Sequence, residues 1–324
     1  PRLGSSFDAG PGAAWLKISD GCDNCCSYCA IPLIRGPWRP RDATDILREA
    51  RELAAAGTRE INIISQDTSR YADPGSSGMD LVRLLDALEA IDGPRWIRVL
   101  YLHPATTRPE LVSRILAGGK VVPYFDLPVQ SLIDSTLQRM KRRTSWDDIR
   151  RLTGSIREKN PLATIRTTLI AGYPGETAAD HALTLRRMEE IGFDKLGAFA
   201  WSAEEGTPAA HERPRVRPST AERRVHDIMQ LQQTLSPRRL SRFKGLTLPV
   251  LISGSTLSGT TPPPGLAIPA GIRACWGRSP ADAPDVDGLV SAVIPAGKTV
   301  PAPGSFADIR IDSFSEYDLH GELA

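Results

Sequence analysis

The sequence predicts an α/β chain: a parallel barrel, partial or closed, over residues 1–245, then a small all-β barrel over 246–324. Three observations carry this. Apolar, β-branched runs alternate with apolar residues at helical spacing as far as residue 245. Short strand patterns separated by Gly, Pro, Ser and Thr follow. The 324 residues suit two domains of roughly 150 residues each.

Residues 14–20 read as the first strand, and a cysteine-rich loop follows. A helix starts at Asp42, a suitable N-cap, and runs to Ala56, where Gly57 stops it. Further strands are expected at 60–65, 96–101, 124–127, 164–170 and 195–201. Helices are expected at 80–91, 109–116, 134–140, 146–159 and 178–191. Such alternation calls for a parallel sheet with right-handed crossovers. A long helix at 220–243 closes the unit at Gly245. Beyond it, strands are expected at 248–252, 288–294 and 305–313, with a long mobile loop over 253–271 that contains Pro262-Pro263-Pro264.

Composition narrows the function classes. With 41% apolar and 24% charged residues, the chain can bury an ordinary core, which excludes disorder and collagen. No run approaches ~18 apolar residues, so no membrane helix is expected. A net charge of +2 is too balanced to mark a polyanion binder by itself. Four of the five cysteines, Cys22, Cys25, Cys26 and Cys29, crowd into one loop while Cys275 stands alone. That crowding suits metal binding in a reducing compartment, so a cytoplasmic protein is expected.

Cys22, Cys26 and Cys29 form C-x3-C-x2-C directly after the first strand. Close thiolates of this kind hold iron–sulfur clusters. Three ligands leave the fourth iron of a four-iron cluster open to another molecule. Zinc is the alternative, but its structural sites use two separated knuckles, and here Cys22-x2-Cys25 and Cys26-x2-Cys29 abut.

In α/β barrels the reaction site lies at the C-terminal ends of the strands. There the sequence places Gln66-Asp67-Thr68, His103-Pro104, Gln130-Ser131, Arg166-Thr167-Thr168, Gly172 to Glu176 and Ser202 to Thr207. Each has a plain reading as well. Gly172 to Glu176 can be a turn, Gln66 and Gln130 loop caps, His103 a packed histidine, and Glu204-Glu205 a solvated pair. Arg166 inside an apolar strand calls for an anionic partner.

The cysteine motif, with Tyr28 before its last member, resembles the radical S-adenosylmethionine superfamily. The resemblance implies a 4Fe-4S cluster on Cys22, Cys26 and Cys29, with Cys25 off-pattern and replaceable by serine. It implies that the open iron is chelated by the amino and carboxylate groups of S-adenosylmethionine. Cleavage of the sulfonium then yields a 5′-deoxyadenosyl radical that abstracts hydrogen. The cofactor-binding residues it suggests are Tyr28, Gln66, Gln130, Arg166, Thr168 and Glu176, with the cofactor carboxylate one candidate partner for Arg166.

Within the superfamily, Tyr101 to Pro104, Tyr124 to Gln130, Leu137 to Arg143, Arg166 to Glu176, Trp201 to Ala210 and Tyr317 to Leu323 resemble the methylthiotransferases. They look most like the branch acting on an aspartate of a small-subunit ribosomal protein. Residues 246–324 resemble that family's TRAM barrel, a substrate-recognition domain. The tRNA-modifying sisters tend to carry a basic-Pro pair where Glu204-Glu205 stands, which favours a protein substrate. Ser131, where the ribosomal-protein branch usually has His, points the other way. The alternatives are a tRNA (adenosine) methylthiotransferase and a non-catalytic, zinc-stabilised RNA-binding protein. The latter would use the Arg-rich stretches at 139–151, 213–224 and 238–244. The implied partners are the ribosomal protein and a reductase or flavodoxin-type electron donor.

The family also holds a second 4Fe-4S cluster on three cysteines of an N-terminal domain. This chain opens at Pro1, about twenty residues before the motif. The expectation is truncation or divergence, with S-adenosylmethionine cleavage but little or no methylthiolation by the chain alone.

Overall fold

The computed structural model describes residues 9–75, 78–269 and 271–324. The first half of the α/β unit runs β1 (Ala13–Lys17), β2 (Ser19–Asp20), α1 (Ile31–Arg35), β3 (Arg39–Pro40), α2 (Ala43–Ala55), β4 (Glu60–Ile64), α3 (Leu81–Glu89), β5 (Trp96–Val99) and α4 (Pro109–Leu116). The second half runs β6 (Tyr124–Asp126), α5 (Asp134–Arg139), α6 (Trp146–Lys159), β7 (Thr164–Ala171), α7 (Ala178–Ile191), β8 (Lys195–Ala200) and α8 (Pro218–Leu240).

Local chemistry sets these limits. Ser145 and Thr177 close capping boxes with Asp148 and Asp180 at the starts of α6 and α7, and Gly192 ends α7 in the left-handed region. Asp80 caps α3 by accepting from the Arg83 amide at 3.0 Å. Asp42 stands at the N-cap of α2 as expected, but its side chain makes no capping bond. Asp73 instead accepts from the Ala43 amide at 3.0 Å.

All six long strands of this unit run parallel, as β1-β4-β5 and β6-β7-β8. The two sheets join between β5 and β6, where the Val122 amide donates to Ile97 and the Leu102 amide to Asp126. Among the described residues no pairing closes β8 onto β1, so the barrel is partial. Strands β4 and β5 are buried almost throughout, as parallel strands covered by helices must be. Ile61, Ile63, Leu84, Leu85 and Ile97 are fully buried in this core.

After α8 come β9 (Thr247–Ser255), β10 (Ala274–Arg278), β11 (Val290–Val293), β12 (Phe306–Phe314) and β13 (Leu319–Leu323). They close into a barrel of order β10-β11-β13-β12-β9. Two of these strands, β10 and β13, escaped the sequence pattern, and β9 extends into the segment expected to be loop. Glycines explain the misses. A Cβ at Gly277 would lie 2.1 Å from the Leu251 carbonyl oxygen, and one at Gly321 2.0 Å from that of Arg310. Both strands therefore interrupt the alternation of side chains at the points of closest strand approach.

The connection between β10 and β11 docks against the first barrel through buried polar contacts. Arg98 binds Glu60 at 3.0 Å and the Pro280 carbonyl at 2.8 Å, while Arg278 meets Glu60 at 2.6 Å. Lys195 pairs with Asp282 at 2.9 Å, and Tyr124 Oη donates to Asp287 at 2.6 Å.

Candidate cofactor site

The cysteine loop leaves β2 at Gly21, whose φ is +74°. A Cβ there would lie 2.1 Å from the Pro37 carbonyl oxygen, so only glycine lets the two ends of the loop close. The Cys22 amide donates to Gly36, and the Cys29 amide turns back to Cys26. Between them, Ser27 is fully buried and fixes the loop to three distant segments. Its amide donates to Met140, its carbonyl accepts from Ala209, and its hydroxyl donates to the Arg139 carbonyl at 2.7 Å. The same hydroxyl stands 2.8 Å from Tyr173 Oη, which donates to Glu212 at 2.8 Å.

The loop covers the C-terminal mouth of the partial barrel, where a cavity of about 280 Å³ opens. Cys22, Cys26 and Cys29 line it, together with Tyr28, Gln66, Gln130, Arg166 and Thr168. Eight of the nine residues singled out from sequence thus meet in one space. Strand periodicity explains part of this, since Arg166 and Thr168 share one face of β7.

Glu176 is the exception, because it lies outside this cavity's walls. Its carboxylate accepts from the Gly172 amide at 2.8 Å and the Tyr173 amide at 3.3 Å, and pairs with Arg224 at 2.8 Å. It braces the turn after β7. Arg166 finds the anionic partner expected of it in two protein carboxylates, Asp126 at 2.9 Å and Asp287 at 3.6 Å.

Sequence reasoning did not single out Asn24, Tyr101, Asp126 or Arg142, which line the same space. Asn24 Nδ2 donates to Asp67 at 2.7 Å, and its amide points to Cys22 Sγ at 3.4 Å. Arg142 Nη1 donates toward Cys26 Sγ at 3.9 Å, and its other arm holds the Pro128 carbonyl. Tyr101 and Gln130 are non-glycine residues with φ of +59° and +69°. Such strained backbone persists where its surroundings over-determine it, often at functional sites. Here the Tyr101 amide is held by Asp126 at 3.0 Å, and Gln130 is bonded on both sides to β7. His103 accepts from the Ala105 amide through Nδ1, so its neutral ring carries the proton on Nε2. Burial, then the cations Arg142, Arg70 and Arg143, push its pKa down to about 3.

The donor set fits an iron–sulfur cluster. All five cysteines are free, and burial raises the thiol pKa of Cys22 and Cys29, which deprotonated ligation to iron offsets. Among the described residues, no three His, Cys, Asp or Glu side chains converge as a single metal ion requires. Cys22, Cys26 and Cys29 instead stand around one cavity, as thiolates holding separate atoms of a cluster would. Gln66 Oε1 is buried without a hydrogen-bond partner among the described residues, leaving an acceptor for a ligand. Cys25 is exposed and lines an outer cavity of about 430 Å³ beside Leu33 and Pro208, and Cys275 is buried in the second barrel. Three arginines of the Arg-rich stretches are engaged in ion pairs: Arg224 with Glu176, and Arg239 and Arg242 with Asp194.

The Radical SAM superfamily profile matches residues 16–188, and a TRAM domain profile matches 271–324. The ribosomal protein uS12 methylthiotransferase RimO of Alkaliphilus oremlandii is 39% identical over 97% of this chain and 68% of its own length. The chain belongs to the RimO family of radical SAM proteins. The RimO of Thermotoga maritima is 40% identical over 96% of the chain and 67% of its own length. The chain thus spans about two thirds of the RimO relatives it matches. Coproporphyrinogen III oxidase (HemN) from Escherichia coli shares the fold, at a TM-score of 0.52 and 14% identity over 79% of this chain and 56% of that one. The TRAM match covers β10 to β13 of the closed five-stranded barrel. No described helix is long and apolar enough to cross a membrane.

Proposed function

We propose that this chain is a radical S-adenosylmethionine methylthiotransferase that adds a methylthio group to the β-carbon of an aspartate in ribosomal protein uS12. The observation that carries the reading is one cavity at the barrel mouth, walled by Cys22, Cys26 and Cys29 and containing the unpartnered Gln66 oxygen. When bound, a reduced 4Fe-4S cluster and S-adenosylmethionine supply a radical able to abstract hydrogen from an unactivated carbon.

The chain's own residues then have separate tasks. Cys22, Cys26 and Cys29 hold three irons. Asn24 and Arg142 direct N–H groups at the sulfurs of Cys22 and Cys26. Tyr28, Gln66, Gln130, Arg166 and Thr168 surround the nucleoside and exclude water. Glu176 acts indirectly, by holding the turn after β7. The unit ends at Gly245, and residues 246–324 recognise the substrate. A reductase or flavodoxin-type protein delivers the electron, and the reaction takes place in the cytoplasm.

Anaerobic reconstitution of the chain tests the reading. About four irons per chain are expected, with release of 5′-deoxyadenosine on reduction. Joined to the N-terminal domain of a RimO relative, the chain should add the mass of a methylthio group to a uS12 peptide; alone it should release 5′-deoxyadenosine with little or no methylthiolation. Iron retained by Cys26→Ala at the parent level contradicts the ligand assignment. Modification of tRNA in place of the peptide contradicts the substrate assignment.

A further inference from the structure

We infer that Asp287, in the connection between β10 and β11, is a positioning residue for the cofactor cavity and acts through Arg166. The inference rests on the S-adenosylmethionine reading of that cavity.

Arg166 belongs to two spaces. It lines the cofactor cavity, and it also lines a second cavity of about 410 Å³ between the two barrels, together with Lys195, Asp287 and Tyr317. Its side chain is therefore shared by both walls. A long, flexible side chain in such a place needs to be held from more than one direction. Asp126 Oδ1 accepts from Nη1 at 2.9 Å, and Asp287 Oδ1 stands 3.6 Å from Nε.

The Asp287 carboxylate is itself immobilised. Its side chain is 1% exposed, and Oδ2 accepts from Tyr124 Oη at 2.6 Å and from the Ala283 amide at 2.8 Å. With Oδ2 claimed twice, Oδ1 is left for Arg166. Arg166 also lines the cofactor cavity, so its guanidinium is available to a ligand there. Asp126 extends the arrangement, because its Oδ2 holds the amide of strained Tyr101. A carboxylate from the second barrel thereby fixes a donor in the wall of the first barrel's cavity. The segment from Ser279 to Asp287 also carries the Asp282–Lys195 pair; Asp282 lines neither cavity, while Lys195 lines the second one beside Arg166. That pair provides an internal comparison at the same interface.

The test uses the reconstituted chain and equilibrium dialysis against S-adenosylmethionine, with iron content and thermal midpoint recorded for every variant. Asp287→Asn should weaken binding about tenfold, the size of an ordinary coupling between sites, with iron content unchanged. Asp287→Glu should restore most of the affinity. Asp282→Asn should lower the thermal midpoint and leave the affinity at the parent value. Where Asp287→Asn does not fold, Tyr124→Phe takes its place, since it leaves the Asp287 carboxyl group present but releases Oδ2, and it should weaken binding in the same direction. Parent-like affinity in Asp287→Asn beside weakened Arg166→Gln overturns the inference alone. Equal weakening by Asp282→Asn and Asp287→Asn also overturns it, because general loosening then accounts for the effect. Absence of S-adenosylmethionine binding by the parent chain overturns the functional reading and the inference with it.

Discussion

Arg98 and Glu60 meet at 3.0 Å with neither side chain exposed, and Arg278 reaches the same carboxylate from the second barrel at 2.6 Å. Burial opposes the charge on Glu60, yet Arg98 and Arg278 together hold its carboxyl below the usual range. Glu60→Gln leaves two guanidiniums facing each other without an anion. Removing one partner of a buried ionic group costs about 3–5 kcal/mol. Denaturant titration should register that loss, and a change under about 1 kcal/mol, the range of exposed pairs, contradicts it.

Cysteine reactivity should divide three ways. In the reconstituted protein, Cys25 is exposed and should alkylate readily. Cys275 is buried, with its pKa pushed up to about 11 by burial, so it stays a thiol at pH 8 and should not react until the chain unfolds. Cys22, Cys26 and Cys29 should be protected by iron and become reactive when it is chelated. Cys25→Ser should keep the full iron content, and loss of iron in that variant makes Cys25 a ligand after all.

His103 should make the fold acid-sensitive. Its folded pKa of about 3 lies below its unfolded value, so the unfolded chain takes up the proton first. Its stability contribution is complete above about pH 6.5 and is lost as pH falls toward 3. Between pH 7 and pH 5 the loss is at most about 2 kcal/mol, reduced by solvent screening. His103→Gln should therefore lose less stability than the parent over that interval. Equal losses in the two proteins place the acid sensitivity elsewhere.

Tyr173→Phe should leave the α/β core intact but loosen the cysteine loop. The substitution removes the hydroxyl beside Ser27 and the hydrogen bond to Glu212. The cost should be about 1 kcal/mol in global stability. Iron should still assemble but leave faster to a chelator, and unchanged release kinetics exclude Tyr173 as an anchor of the loop.

Much of the architecture was legible because strong local signals agreed with the tertiary fold. The expected 109–116, 146–159 and 178–191 helices are observed to the residue: Pro109 opens the first, and capping boxes at Ser145 and Thr177 open the other two. Strands β10 and β13 were not legible, because Gly277 and Gly321 answer to neighbouring backbone rather than to side-chain alternation. The cysteines and strand-end residues of the site were readable from position in the chain. Asp126, Arg142 and Asp287 were not, since their roles depend on partners brought together by folding. Glu176 illustrates the converse: the motif position was right for the rim, but its carboxylate is consumed by the Gly172 and Tyr173 amides and by Arg224.

Helix α8 and the residues just beyond it serve two cores. Leu240 and Phe243 pack with Val250, Ile252 and Ile309 of the second barrel, while Ile228 and Leu235 of the same helix pack within the first. One rod of secondary structure is therefore a shared foundation, and the second barrel is not an interchangeable attachment. A chimera that borrowed this barrel from a relative would have to import the helix end and the Ser279–Asp287 connection together, because each was shaped against the other side of the joint.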